Sequence, residues 1–196
     1  KDFSKSLIHL NQAKSYTPLG SQTFSKSYTH LPIESAPLFC SEGKNCYLKD
    51  LDGNSFIDLV SGLGAVTLGY GLEEINEIIT HHVSKGITFS LPHKIELDFA
   101  KEFFESINFD GMVKYSKNGT DVTSAAIRLA RYVTNKDQVL LTGYHGWADW
   151  SISVTSKNGG IPTNIKDLSK SLKLSSVKNY IKENAKNIAC LIIETT

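Results

Sequence analysis

Cysteine is scarce and odd in number, with Cys40, Cys46 and Cys190 alone in 196 residues. That excludes a disulfide framework and fits a reducing compartment, the cytoplasm. A net charge of +1 gives no field to draw in nucleic acid or an anionic membrane surface. The lysines between Lys166 and Lys186 are interleaved with Asp167 and Glu183 and read as a solvated face. No apolar run approaches the roughly 20 residues that span a bilayer. Metal-ligand spacing is also missing: His145 and Asp149 lie four apart on a helical repeat, but no further His or Cys completes a set. Neither G-x-x-x-x-G-K-[ST] nor G-x-G-x-x-G occurs. No signal peptide is visible, and a start at Lys1 without methionine is expected of a piece trimmed from a longer chain.

What remains, 40% hydrophobic and 21% charged, is ordinary for a soluble globular protein. Residues 1–35 are polar and broken by Pro18, Gly20 and Pro32, so one short helix and an irregular crossing segment are expected. Two alternating runs joined by Asp52-Gly53-Asn54 predict a hairpin around 46–59, because glycine accepts the positive φ of a tight turn. The glycine-rich stretch 61–71 reads as a loop whose backbone lies close to something. Ile75, Ile78, Ile79 and Val83 predict a helix over 73–85; Leu97, Ala100, Phe104 and Ile107 predict another over 95–107.

Strand and helix then alternate. Strands are expected at 112–116, 138–142, 151–155 and 188–193, with helices at 121–134 and 175–186. "VLLTG" and "IACLIIE" are continuous apolar runs, which suits strands covered on both faces of a parallel sheet. The architecture is therefore α/β with helical crossovers. A buried strand followed only by Glu194-Thr195-Thr196 is expected of the cut edge of a longer polypeptide.

Three sites stand out. Asn118-Gly119-Thr120 precedes the helix whose apolar stripe is Val122, Ala125, Ala126, Leu129 and Val133. Thr120 can cap that helix and Asp121 favours its dipole. Gly119 adds room for an anion against free amides, so capping alone and phosphate binding both stay open. Tyr144, His145 and Trp147 cluster just after the 138–142 strand, where open α/β sheets bind ligands; a ring stacked on a flat heterocycle and a buried aromatic turn are the two readings. Glu194 ends the last strand, either in the same crevice or as an edge residue.

In this order the pieces resemble the class III (subgroup II) pyridoxal-phosphate aminotransferases, the glutamate-1-semialdehyde aminotransferase branch above all. The segments that carry the resemblance are "YLKDLDGNSFIDLVSGLGAVTLGYG", "KGITFSLPHKIELDFA", "KNGTDVTSAAIRLARYVTNKD", "GYHGWADW" and "IACLIIETT". The resemblance implies the fold-type I transferase architecture, a three-layer α/β/α large domain with a mainly parallel sheet and a small N-terminal α+β segment. It divides the chain into 1–72, N-terminal segment and part of the small domain, and 73–196, the first part of the cofactor-binding domain. It implies pyridoxal 5'-phosphate as cofactor. Asn118, Gly119 and Thr120 would hold its phosphate, Tyr144 would stack on its ring, and His145 would support that ring or the sheet edge. Glu194 would join the polar network on its hydroxyl side, and Leu63 and Ser90 would border the substrate.

The implied reaction passes an amino group from a small amino donor to a carbonyl acceptor, in a homodimer, without nucleic acid or membrane. The lysine that joins the cofactor covalently, and the aspartate on its ring nitrogen, are expected beyond Thr196. The 196 residues alone are therefore expected to be inactive. Two departures bear on the substrate. Gln22 and Thr23 stand where the semialdehyde mutases resembled here have a carboxylate-binding arginine, and Lys26 is the nearest cation. Neither neutral side chain makes the bidentate contact of an arginine. "GSQTFSKS" and "YHGWADW" look more like members tied to cell-surface sugar pathways. Glu194-Thr195 replaces the family's Glu-Pro. Glutamate-1-semialdehyde 2,1-aminomutase is the alternative activity. A non-catalytic phosphate-ligand module or a pseudoenzyme is the alternative from outside catalysis.

Overall fold

The computed structural model describes residues 1–195; Thr196, the expected cut edge, lies outside the described residues. The chain forms two compact units, Lys1–His93 and Lys94–Thr196.

The first unit opens with helix α1 (Ser4–Tyr16), followed by three short 3-10 turns between Pro18 and His30. Strands β1 (Cys40–Lys44), β2 (Tyr47–Asp50) and β3 (Ser55–Ile57) form an antiparallel sheet in that order. The expected Asp-Gly turn joins β2 to β3, with Gly53 at φ 87° and its N–H donating to the Asp50 carbonyl at 3.2 Å. Asp50 is almost fully buried, and its carboxylate accepts from the Asn54 amide (2.7 Å), the Asn54 side chain (2.8 Å) and the Asp52 amide (3.0 Å).

Asp52 reaches out of the same turn to α1. Its carboxylate accepts from the Lys5 and Ser6 amides at 2.7 and 3.0 Å and from the Ser6 hydroxyl at 2.7 Å. A helix start needs acceptors for its free amides. Phe3 at the cap position has no side-chain oxygen to offer, and Asp52 supplies acceptors from 46 residues away. Against the desolvation that would raise it, the Ser6 hydroxyl, the two amides and the Lys5 charge hold the Asp52 carboxyl below its ordinary value.

The glycine-rich loop does press its backbone on a neighbour. Gly69, at φ 91°, has the Asn45 carbonyl 3.0 Å from where a Cβ would stand, and Asn45 and Tyr70 exchange backbone hydrogen bonds at 2.8 Å. The Tyr70 hydroxyl then donates to Asp58 at 2.6 Å, which lowers the Asp58 carboxyl and raises the Tyr70 phenol. Helix α2 (Glu73–Val83) closes the unit's regular structure and has no buried residue.

In the second unit α3 (Lys94–Ile107) leads to α4 (Gly119–Thr134), β4 (Gln138–Thr142), α5 (Asp149–Ile152), α6 (Thr163–Asp167), β5 (Ser169–Ser171), α7 (Leu174–Asn184) and β6 (Ile188–Ile193). The sheet is parallel, in the order β5-β4-β6. The central strand is the core: Val139 and Leu140 are 0% exposed and Leu141 2%. Val139 and Leu141 join Ile127 of α4 and Trp150 of α5, with Cys190 and Ile192 of β6 beside them. Burial pushes the Cys190 thiol up, partly offset by the Arg131 charge.

Four expectations need correction. Residues 112–116 are not a strand, because no described segment pairs with them, and a strand exists only through its ladder. Residues 151–155 begin in α5 instead. Their serine hydroxyls turn back on the local backbone, Ser151 to the Gly146 carbonyl at 3.2 Å and Ser153 to the Trp150 carbonyl at 3.2 Å, which competes with a ladder. Helix α4 starts two residues early and is capped by Asn118, not Thr120. The stripe Val122, Leu129 and Val133 is exposed, and α4 buries Ile127. That follows from α4 turning Ile127 toward Val139 and Leu141 of β4 and Trp150 of α5, which leaves Val122, Leu129 and Val133 uncovered.

Candidate functional site

The start of α4 and the loop after β4 face one another in the second unit. Asn118 is extended (φ −147°, ψ 164°), and its side-chain oxygen accepts from the Asp121 amide at 3.0 Å. Its Nδ2 donates to the Asp121 carboxylate at 2.8 Å, and the Ser116 hydroxyl adds a bond at 3.1 Å. The Val122 amide reaches the Asn118 carbonyl at 3.5 Å. The Val122 bond is the first of the helix ladder; of the amides that the helix start leaves free, that of Asp121 is engaged by the Asn118 side chain. Those of Gly119 and Thr120 have no acceptor among the described residues. In front of Gly119 a Cβ would meet nothing within 4 Å. Free amides at the positive end of a helix, with open space before them, are what an anion needs.

Opposite stands 143–147. Thr142 ends β4, and its carbonyl accepts both the Glu194 amide (3.1 Å) and the His145 Nε2–H (2.8 Å). A carbonyl only accepts, so the tautomer of His145 carries its proton on Nε2. His145 is buried and tilts against Trp150, ring centroids 6.3 Å apart. Trp150 in turn donates to the Ser124 hydroxyl at 3.0 Å, tying the loop to α4. Gly146, at φ 98°, lies so close to Thr120 that any Cβ there would collide with the Thr120 hydroxyl. The rings of Tyr144 and Trp147 stay outside the core, 69% and 76% exposed.

Between the two elements lies a cavity of about 510 Å³ lined by Asn118, Gly119, Thr120, Thr123, Tyr144, His145, Gly146 and Trp147. The structure therefore brings together six of the residues singled out in the sequence: Asn118, Gly119, Thr120, Tyr144, His145 and Trp147. Glu194 does not line the cavity; its carboxylate accepts the Tyr144 amide at 2.8 Å. Leu63 and Ser90 belong to the first unit, where both are exposed and Leu63 holds φ 60° in the glycine-rich loop.

Sequence reading missed Thr123 and Gly146. Thr123 sits one turn after Thr120 and donates to the Gly119 carbonyl at 3.0 Å, so helical spacing was its signal. Gly146 had no signal beyond being glycine between two aromatics. Among the described residues no group of three His, Cys, Asp or Glu side chains is placed to hold a metal ion, and no helix is long and apolar enough to cross a membrane.

A parallel sheet whose strand ends meet an open helix start and an aromatic loop defines an α/β ligand-binding unit. Comparison with known proteins narrows this. Residues 30–196 match the family described as aminotransferase class-III. The chain is 32% identical to the 3-aminobutyryl-CoA aminotransferase of Cloacimonas acidaminovorans, over 97% of this chain and 46% of that protein. It is also 32% identical to the glutamate-1-semialdehyde 2,1-aminomutase of Methanosphaera stadtmanae, over 98% of this chain and 47% of that protein. A solved structure described as a transaminase with PLP bound superposes with a TM-score of 0.86 at 20% identity, covering 99% of this chain and 48% of its own. A glutamate-1-semialdehyde aminomutase from Pseudomonas aeruginosa PAO1 gives 0.76 at 18% identity, over 96% and 43%. This chain belongs to the class III aminotransferase family. It spans about half the length of the curated relatives it matches.

Proposed function

We propose that the complete protein is a pyridoxal-phosphate-dependent class III aminotransferase, and that the second unit supplies its phosphate cradle and its ring-stacking surface. The observation that carries this is the pair of acceptor-free amides at Gly119 and Thr120, open to a cavity that the Tyr144 ring also lines. When bound, the cofactor supplies an electron sink for breaking bonds at the amino-bearing carbon.

The residues present fit that group. The Gly119 and Thr120 amides, with the helix dipole behind them, hold a phosphate without a cationic side chain. Tyr144 lines the cavity with its ring exposed and so available to stack, and His145 is buried on the Thr142 carbonyl beside it. Thr120 has its hydroxyl free of the capping role and available as a further donor. We place Leu63 and Ser90 at the substrate border and keep the domain boundary after residue 72. A homodimer and a cytoplasmic location complete the proposal; the second is supported by three cysteines with no disulfide among them.

Transfer from a small amino donor to a carbonyl acceptor is favoured over the aminomutase reaction. Gln22 and Thr23, both exposed, offer neutral groups where the resemblance puts a carboxylate-binding arginine. An acceptor from a cell-surface sugar pathway fits that neutrality. The 196 residues alone are proposed to be inactive, with borohydride reduction in the presence of cofactor fixing no label to a lysine of 1–196.

Trp147 at the cavity edge is a built-in reporter. Titration of the complete apoprotein with pyridoxal phosphate should quench its fluorescence at a concentration at least about tenfold lower than pyridoxal, which lacks the phosphate, an affinity difference of roughly 1.4 kcal/mol. Equal potency of the two would refute the cradle.

A further inference from the structure

We propose that Glu194 is a positioning residue: it sets the stance of the Tyr144 ring by holding the Tyr144 amide, and does not itself touch the ligand. The inference rests on the aminotransferase reading and deepens it. Four observations converge. The Glu194 carboxylate accepts the Tyr144 N–H at 2.8 Å across 50 residues of sequence. It is absent from the lining of the cavity that Tyr144 borders. Gly143, at φ 81°, is the residue over which the carboxylate folds: a Cβ there would stand 2.6 Å from the Glu194 Cβ and would collide with its carboxylate. The side chain and the missing side chain are therefore complementary, glycine leaving the space the glutamate occupies. And the Glu194 amide donates to the Thr142 carbonyl at 3.1 Å, so the carboxylate is carried on the end of the β6 ladder rather than on a free tail.

The loop does not need this carboxylate in order to stay attached. His145 bonds the Thr142 carbonyl on the other side, and Gly146 rests on Thr120. Between those anchors Gly143, at φ 81°, leaves the peptide of Tyr144 room to rotate. A charge-assisted hydrogen bond to its N–H removes that freedom. Removing the carboxylate should thus leave the fold and the loop in place and change the angle of one ring.

The test uses the complete protein with Glu194→Ala and Glu194→Gln, each also in a Tyr144→Ala background. Three quantities are read: exchange of the Tyr144 amide hydrogen in the apoprotein, the dissociation constant for pyridoxal phosphate, and the circular dichroism of the bound cofactor, which follows ring orientation. Glu194→Ala should speed exchange at Tyr144 and weaken binding, each by roughly tenfold, and alter the cofactor dichroism. Glu194→Gln keeps an acceptor oxygen and should restore all three to within about twofold. In the Tyr144→Ala background Glu194→Ala should add nothing further to the binding loss. The inference is overturned if Glu194→Ala leaves binding and dichroism unchanged. It is equally overturned if Glu194→Gln is as weak as alanine with or without Tyr144, which would make the carboxylate charge a direct ligand contact. If the wild-type protein shows no cofactor dichroism at all, the aminotransferase reading itself fails, and this inference with it.

Discussion

In the first unit the least exposed side chains are Ser6, Ser27 and Asp50; in the second they are Val139, Leu140 and Leu141. One unit centres on directed hydrogen bonds, with Asp50 gathering the hairpin turn and Asp52 capping a helix from a distant turn. The other centres on an apolar strand covered on both faces. The difference is instructive about where a ligand site can be built. Hydrogen bonds that are all spent on holding a turn leave nothing to bind with. Where apolar burial holds the scaffold, the polar ends of its elements are free, and the amides of Gly119 and Thr120 are such ends.

The largest effect should come from the apolar side. Leu140→Ala empties a fully buried position of the central strand and should destabilise the protein by about 2–5 kcal/mol in urea unfolding. Asp50→Ala strikes the polar counterpart. It strands three donors in a turn and should cost about 1–3 kcal/mol. A loss as large as that of Leu140→Ala would erase the contrast between the units.

The site separates from both. Gly119 has ordinary φ and open space before it, so Gly119→Val leaves folding nearly intact. Its side chain fills the cradle, and pyridoxal phosphate affinity should fall by at least about tenfold, roughly 1.4 kcal/mol. Undiminished affinity would put the phosphate elsewhere.

Acid sharpens the polar side. The Asp52 and Asp58 carboxyls both sit below their ordinary 3.8 in the fold. A depressed carboxyl contributes stability that is complete above the unfolded value and fades as pH falls through the folded one. The first unit should therefore weaken below about pH 4, and Asp52→Asn should flatten that dependence in an acid titration followed by amide exchange in α1. The smallest change is expected at Ser169. Its hydroxyl is buried on β5 without a partner among the described residues. Ser169→Ala should shift stability by no more than about 0.5 kcal/mol, towards the more stable side if at all.

Much of this was legible in the residues. Asp52-Gly53 announced the hairpin because only the turn geometry asks for that pair, and "VLLT" announced a strand covered on both faces. Asn118-Gly119-Thr120 and Tyr144-His145 stood out as separate stretches, and the fold brings them to one cavity. What was illegible depends on partners far away in sequence. Whether 112–116 pairs, and whether Val122 and Leu129 are covered, is settled by other segments and not by local pattern. Residues 151–155 were expected as a strand, yet the hydroxyls of Ser151 and Ser153 serve the backbone beside them. Strand β5, the three polar residues Ser169-Lys170-Ser171 at a sheet edge, carries no apolar period to read. The reach of Asp52 to α1, and of Glu194 to Tyr144, spans 46 and 50 residues and leaves no trace in spacing.

The most direct measurement is an amide-resolved NMR titration of the complete apoprotein with pyridoxal phosphate. The cradle predicts that the Gly119 and Thr120 N–H resonances move downfield, further than any others, and lose exchange with solvent as the phosphate seats on them. If those two resonances stay still while the cofactor binds, the phosphate rests on other atoms and the account of this site is wrong.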